Sequence, residues 1–149
     1  MKSIHDYHHI LAPIDGSVEA QAALKTAIEI VQQDTSRQLY IVHVIDEDDL
    51  NLFDPNIEQL KTEAKQASLQ LLHQAQQVAT QAGLTNVTIC SEFGNPKAII
   101  AQTIPQRYTI DLIVMGATGT NTVERLMQGS TTEFVSRTAT INTLIIHDN

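Results

Sequence analysis

The chain has 149 residues, of which 42% are hydrophobic and 17% charged, and its formal net charge is −8 at pH 7. This length suits a single domain over residues 1–149 with one core, and the composition is that of a folded protein. The nine Lys and Arg residues are scattered along the sequence, which argues against nucleic-acid and membrane-surface partners, because those surfaces attract clustered basic side chains.

Cys90 is the only cysteine, so the chain has no intrachain disulfide and no cysteine-based metal cage. The apolar residues around Cys90 predict a packed thiol, which suits a reducing compartment. No run of about 18 apolar residues occurs, and none follows the N-terminal lysine. We therefore expect a cytoplasmic protein.

Five short runs of apolar, mostly β-branched residues predict β-strands. They cover residues 9–14, 39–45, 87–93, 111–115 and 143–146. Each run is nearly continuous in hydrophobicity, whereas a strand with one solvated face alternates. This pattern favours a parallel sheet whose two faces are both covered by helices.

Helical patterns fill the gaps between these runs. Ser17 is a predicted N-cap, and the helix after it has one apolar face: Ala20, Ala23, Leu24, Ala27, Ile28 and Val31. A second helix is predicted over residues 57–82, ended by Gly83. Its apolar face would be Leu60, Ala64, Ala67, Leu71, Ala75, Val78 and Ala82.

Two further helices complete the alternation of strand and helix. Asn95 and Pro96 open the third in the preferred order of cap residue and then proline, and Pro105 is predicted to limit it. The fourth begins near Ser130. Strands that alternate with helices predict right-handed βαβ units, and hence a single doubly wound α/β domain.

The segment between the second strand and the second helix, residues 46–56, is acidic and rich in turn-forming residues. It is either a solvated connection or a flexible lid. Its carboxylates, Asp46, Glu47, Asp48 and Asp49, could ligate Mg²⁺ only if the loop folded over a bound phosphate.

A glycine pattern follows the fourth strand: Gly116 and Gly119 bracket a turn, and Gly129 precedes Ser130, Thr131 and Thr132. Glycine lets the main chain approach a phosphate closely, and the free N–H groups at a helix N-terminus attract anions. The pattern is neither a Walker A loop nor a Rossmann fingerprint. Each glycine alone could be an ordinary turn residue, and Ser130 with Glu133 also fits a capping box.

The spacing Gly-x-x-Gly-x9-Gly-Ser resembles the ATP-binding signature of the universal stress protein family. Residues 9–17 (HILAPIDGS) are similar to the family's first strand and turn, and residues 39–46 (LYIVHVID) to its second strand. The resemblance covers essentially the whole chain. It implies a five-stranded parallel sheet ordered 3-2-1-4-5, with the nucleotide bound where strands 1 and 4 diverge, which is also where open α/β sheets bind ligands in general.

The same resemblance implies roles for individual residues. Asp15 would accept a hydrogen bond from ribose or adenine, and Pro13 and Ile14 would line the same side of the nucleoside site. The main chain of Val44 would pair with the adenine edge. The sugar and phosphate site would be formed by Met115, Gly116, Gly119, Gly129, Ser130 and Thr131, with Thr132 nearby. The alternative for Asp15 is a turn in which its carboxylate accepts the main-chain N–H of Ser17.

The chain departs from the family pattern in two places. Ala117 and Thr118 stand in the first glycine turn, where many members have a basic residue, and this leaves Arg125 as the nearest cation. We therefore expect ATP to bind together with Mg²⁺ or Mn²⁺. Residues 137–142 also differ from the family's usual sequence before the last strand.

No catalytic residue and no protein-held metal site is predicted. His5, His8 and His9 cluster with Asp6 but match no zinc pattern, and His43 is interpreted as a core or edge histidine. No serine lies in a nucleophile elbow.

The sequence therefore predicts an ATP-binding stress-response module whose nucleotide state is sensed through conformation or assembly. We expect a homodimer joined through residues 143–146, because an apolar edge strand without Lys or Pro needs a partner. A further protein partner is expected but not identified. The alternatives are a slow ATPase and a nucleotide-free dimeric interaction module.

Overall fold

A computed structural model describes residues 3–117 and 130–147 of the chain. Five parallel strands form one sheet in the order β3-β2-β1-β4-β5. The strands are β1 His9–Pro13, β2 Gln38–Asp46, β3 Val87–Gly94, β4 Leu112–Gly116 and β5 Asn142–Ile146. This confirms the predicted sheet and its order, and every strand ends within one residue of its predicted limits.

Helices cover both faces of the sheet, as predicted. The α-helices are α1 Val18–Gln32, α2 Ile57–Gln81, α3 Pro96–Ala98, α4 Ile104–Tyr108 and α5 Ser130–Thr138, with short 3-10 turns at Ile4–Asp6 and Glu47–Asp49. One hydrophobic cluster lies between the sheet and α1 with α2, and the other lies between the sheet and α4 with α5. β1 is the middle strand of the sheet and, like its neighbours β2 and β4, contributes to both clusters.

Helix α1 matches its prediction closely. Its buried residues are the six of the predicted apolar face. Ser17 caps the helix, because its hydroxyl oxygen accepts a hydrogen bond of 3.1 Å from the N–H of Ala20. A 3.6-residue period without polar interruption was enough to identify this face.

The predicted face of α2 was only partly right. Ala75 is buried, and Leu71 and Ala82 pack against the core. Ala67 and Val78 are exposed, however, Val78 to 51%, and the other buried residues are Ser68, Leu72 and Ala79. The cause is Ser68, a polar residue at a core position whose hydroxyl is hydrogen-bonded to His43 and Ser91. Apolar periodicity alone counts such a serine as solvent-facing.

Pro105 does not limit the third helix, which was the second error. The chain runs from α3 through a π-helical turn, Ile99–Thr103, into α4 and ends only where Thr109 adopts a left-handed φ of 54°. The N–H of Ile104 bonds to the carbonyl of Ile99, five residues back. The wider turn accommodates a proline that would otherwise collide with the carbonyl four residues before it.

Cys90 is partly buried on β3, and its thiol donates to a carboxylate oxygen of Glu92 over 3.1 Å. Burial, reinforced by that carboxylate, raises the pKa of the thiol, which favours the inert thiol form. In the described residues no group of three or more His, Cys, Asp and Glu side chains could hold a metal ion. No helix within those residues is both long and apolar enough to span a bilayer.

The observed face of α2 yields a direct test. We expect Leu72→Ala to lower the free energy of unfolding by about 2–5 kcal/mol, because Leu72 is fully buried and its truncation leaves a cavity. Val78→Ala should change it by only about 0.5 kcal/mol, since half of that side chain already contacts water. Urea denaturation measures both values, and similar losses for the two variants would contradict the assigned face.

Candidate functional site

The strand pairing of β1 ends earlier on its β4 side than on its β2 side. β1 pairs with β2 along its whole length, from His9 opposite Gln38 to Pro13 opposite Val42. Its pairing with β4 is limited to two positions and ends at Leu11 opposite Ile113, although β4 continues alongside β5 to Gly116. A cleft therefore forms at the carboxyl ends of the strands, at the point where the strand order reverses.

The main chain of Val44 faces this cleft. In a parallel strand alternate residues direct their N–H and C=O groups to the same neighbour, and the carbonyl of Val42 accepts the N–H of Ile14. The N–H and C=O of Val44 therefore point to the β1 side of β2. No residue of β1 lies opposite Val44, because the pairing ends at Pro13 and Val42.

The cleft has a volume of about 570 Å³, within the range of small-molecule sites. Its walls come from the ends of β1, β2 and β4, the start of α3 and the start of α5. The predicted site residues that line it are Pro13, Ile14, Asp15, Val44, Met115, Gly116, Ser130, Thr131 and Thr132. Gly119, Gly129 and Arg125, also named from the sequence, lie outside the described residues.

Asp15 lies at the mouth of the cleft, just after β1. One of its carboxylate oxygens accepts the main-chain N–H of Ser17 over 2.9 Å, so the alternative turn considered from the sequence is present. The residue is nevertheless exposed and lines the cleft. The turn fixes the carboxylate in place and is compatible with a ligand contact.

Gly116 is required by packing as well as by its place in the cleft. A Cβ atom at this position would lie 2.7 Å from the carbonyl carbon of Glu19 and 2.9 Å from the nitrogen of Ala20. The hydroxyl of the buried Thr132 donates to the carbonyl oxygen of Gly116 over 2.8 Å. Thr132 therefore links α5 to β4, and its hydroxyl proton is used in that hydrogen bond.

The described part of helix α5 runs over Ser130–Thr138. The residues before Ser130 lie outside the described residues, so the capping box of Ser130 and Glu133 stays a prediction. Ser130 and Thr131 line the cleft at this end of the helix. A first turn is where a helix presents free N–H groups to an anion.

Sequence reasoning missed the residues on the α3 side of the cleft. These are Asn95, Pro96, Lys97 and Ile100. The signal was available, because Asn95 and Pro96 directly follow β3 and so lie at the same sheet edge as the other site residues. Asp46, Asp48 and Asp49 also line the cleft, so the acidic loop after β2 forms part of its wall.

His43 anchors the floor of the cleft to α2. Its Nδ1 atom lies 2.7 Å from the hydroxyl oxygen of Ser68, which lies 2.7 Å from that of Ser91. Burial lowers the pKa of His43 from its ordinary value of 6.5, and the nearby carboxylate of Asp15 opposes the shift. Partial burial therefore favours the neutral form of His43, which packs against α2 in the way expected of a core or edge histidine.

An open parallel α/β sheet with a ligand-sized cleft at its switch point defines the class of this protein. The family model described as "Universal stress protein family" matches residues 6–147. The chain belongs to the universal stress protein family.

Individual relatives agree with this assignment. The chain is 36% identical over 140 residues to a Staphylococcus haemolyticus protein that carries the universal stress protein name, covering 94% of this chain and 84% of that one. Among solved structures, universal stress protein UspA from Lactobacillus plantarum is 34% identical, with a TM-score of 0.79 and coverage of 94% and 97%. A universal stress protein in complex with cAMP has the same fold, at 24% identity, a TM-score of 0.71 and coverage of 96% and 99%.

The half-buried His43 makes a specific contribution to acid sensitivity. Unfolded His43 binds a proton near pH 6.5, whereas the folded protein resists protonation, so stability falls as the pH drops below that value. Because water screens part of the side chain, we expect this single group to lower the unfolding free energy by only a fraction of a kcal/mol between pH 7 and pH 5.5.

We expect His43→Asn to remove that part of the pH dependence, since the amide can still bond to Ser68 but does not titrate. Urea denaturation at both pH values measures the difference. His73→Asn, at an exposed position of α2, is the matched control and should leave the pH dependence unchanged. An identical acid loss in the parent and in His43→Asn would contradict the prediction.

Proposed function

We propose that this protein binds ATP in the cleft between β1 and β4 and acts as a nucleotide-responsive module. The observation that carries the proposal is the main chain of Val44, which presents a donor and an acceptor to the cleft beyond the end of β1. An adenine edge offers the complementary acceptor and donor. Membership of the universal stress protein family adds support.

The other end of the cleft suits the phosphates. The first turn of α5, with Ser130 and Thr131, offers main-chain N–H groups and hydroxyl groups to an anion. Hydrogen bonds to charged groups contribute about 1.5–3 kcal/mol each, and micromolar affinity requires about 8 kcal/mol in total. Three or four such bonds together with adenine burial would supply that.

The charge of the cleft favours ATP accompanied by a divalent cation. Four carboxylates line it, those of Asp15, Asp46, Asp48 and Asp49. Within the described residues no three acidic or histidine side chains converge on one point, so the cation would be held chiefly by phosphate oxygens. Mg²⁺ commonly binds this way, with one or two carboxylates and the phosphates of its substrate.

We propose a binding module rather than a dedicated ATPase, and we assign no catalytic residue. His43, which lines the cleft, is hydrogen-bonded to Ser68 through its Nδ1 atom. Slow hydrolysis is the enzymatic alternative. A structural neighbour described in complex with cAMP makes the cyclic nucleotide a competitor to include in binding experiments. A single partly buried thiol suits the cytoplasm as the proposed location.

We also propose a homodimer through residues 143–146 of β5. In the described structure β5 pairs with β4 alone, which leaves its other edge without a strand. Leu144 on that strand is 39% exposed. An unpaired apolar edge is favourable only when another strand covers it, and a second copy of β5 is a suitable partner.

Calorimetry with ATP and Mg²⁺ tests the nucleotide proposal. We expect the parent to bind with an affinity near micromolar, and Gly129→Val to abolish binding while circular dichroism stays unchanged. Gly129 directly precedes Ser130 in the predicted phosphate-binding glycine pattern, where a valine side chain would exclude the phosphate. The backbone strain, about 1–2 kcal/mol if φ is positive, is small compared with the total stability of a domain.

Gly83→Val is the matched control, because Gly83 has a φ of 93° with open space around it and does not line the cleft. It should bind ATP like the parent. Undetectable binding by the parent at millimolar ATP with Mg²⁺ would favour the nucleotide-free alternative. Normal binding by a folded Gly129→Val would refute the assigned phosphate site.

Light scattering tests the dimer. We expect a dimer at micromolar concentration and a monomer after Ile145→Lys, because a charged side chain on β5 would have to be desolvated in the interface. Val78→Lys places the same charge on the exposed surface of α2 and should remain dimeric. A monomeric parent, or a dimeric Ile145→Lys, would exclude this interface.

A further inference from the structure

Lys97 is a cation in an unusual position. It lies in the first turn of α3, and its main-chain N–H donates to the side chain of Asn95 over 2.9 Å. The positive end of the helix dipole disfavours a cation there. The side chain is nevertheless half-buried and lines the cleft.

The ammonium group of Lys97 has no carboxylate partner within ion-pair distance in the described part of the chain. The ion pairs found there join Lys61 to Glu58, Arg107 to Glu92 and Arg137 to Glu133. It is also the only basic side chain among the described residues that line the cleft, apart from His43. Because no ion pair within the described residues holds the ammonium group and lysine keeps its charged end in water, the group is available to an anion that enters the cleft.

The fold places Lys97 opposite the start of α5. Helix α3 contacts both α5 and β2, and Lys97, Ser130 and Thr131 line the same cleft. The residues directly after β4, Ala117 and Thr118, carry no charge. The cation and the N–H groups of α5 therefore approach one ligand from two walls.

We propose that Lys97 binds the terminal phosphates of the nucleotide and makes the cleft selective for nucleoside polyphosphates. This inference rests on the proposed nucleotide function. An ammonium group interacts more strongly with a chain of phosphates than with a single diester phosphate, and it contributes nothing to an uncharged nucleoside. The neighbouring carboxylates of Asp46, Asp48 and Asp49 disfavour a phosphate, and among the described residues of the cleft Lys97 is the cation that offsets them.

Calorimetry on the full chain, with Mg²⁺ present throughout, tests this role. We expect Lys97→Gln to weaken ATP binding about tenfold, the size of one charge-assisted contact. Adenosine affinity should stay within about twofold of the parent, and cAMP affinity should fall less than that for ATP. Lys97→Arg should retain most of the ATP affinity because it keeps the charge.

Lys25→Gln is the matched control, since it removes the same charge from an exposed position of α1 outside the cleft. It should leave all three affinities unchanged. Urea denaturation of each variant separates binding from stability.

If Lys97→Gln lost the same affinity for ATP as for adenosine, the proposal would be overturned, because Lys97 would then only shape the cleft or hold the acidic loop. Unchanged or stronger ATP binding would also overturn it. If the parent binds ATP, such results reject the role of Lys97 alone. If the parent binds no nucleotide, the proposed function fails first and the inference fails with it.

Discussion

The early end of β1 is the constraint on which the cleft depends. β1 is the central strand, and its residues Ile10, Leu11 and Ala12 are fully buried. The chain leaves the sheet at Asp15, whose carboxylate accepts the N–H of Ser17, and Gly16 follows with a left-handed φ of 84°. Because β2 and β4 continue beyond this point, the space that β1 would have filled opens between them.

Close main-chain contacts hold the rim of that space. Gly116 lies so near to Glu19 and Ala20 that no side chain fits between β4 and α1. The buried hydroxyl of Thr132 joins α5 to the same glycine. The start of α1 and the first described turn of α5 are therefore fixed relative to the end of β4, so the scaffold holds the part of α5 that is proposed to bind phosphate.

Local sequence patterns predicted the fold well. The five strands follow from short, mainly apolar runs, and the buried face of α1 follows from a period that no polar residue interrupts. One error arose where tertiary contacts override a local rule, and the other arose where the local helix geometry changes. Ser68 is buried because His43 and Ser91 bond to its hydroxyl, and Pro105 is tolerated because the π-helical turn precedes it.

The site could be predicted only where the chain carries a recognisable motif. Asp15, Val44 and Gly116 lie in motifs beside the strands and do line the cleft. Lys97 lies in no motif of the sequence, since its importance comes from the packing of α3 against α5. The negative charge of the cleft could not be predicted from the sequence either, because the loop carrying Asp46, Asp48 and Asp49 could have faced away from it.

The register of β4 links the cleft to the proposed interface. Met115 and Gly116, which line the cleft, pair with Ile145 and Ile146 of β5 on their other side. The N–H of Ala117 also donates to the carbonyl of Ile146 over 2.9 Å. A ligand that moved the end of β4 would therefore act directly on the strand proposed to join two copies. Packed strands shift as units rather than deforming gradually. Differential binding of nucleotide to one arrangement of β4 would consequently change the strength of the dimer, and by linkage the dimer would change nucleotide affinity by the same factor.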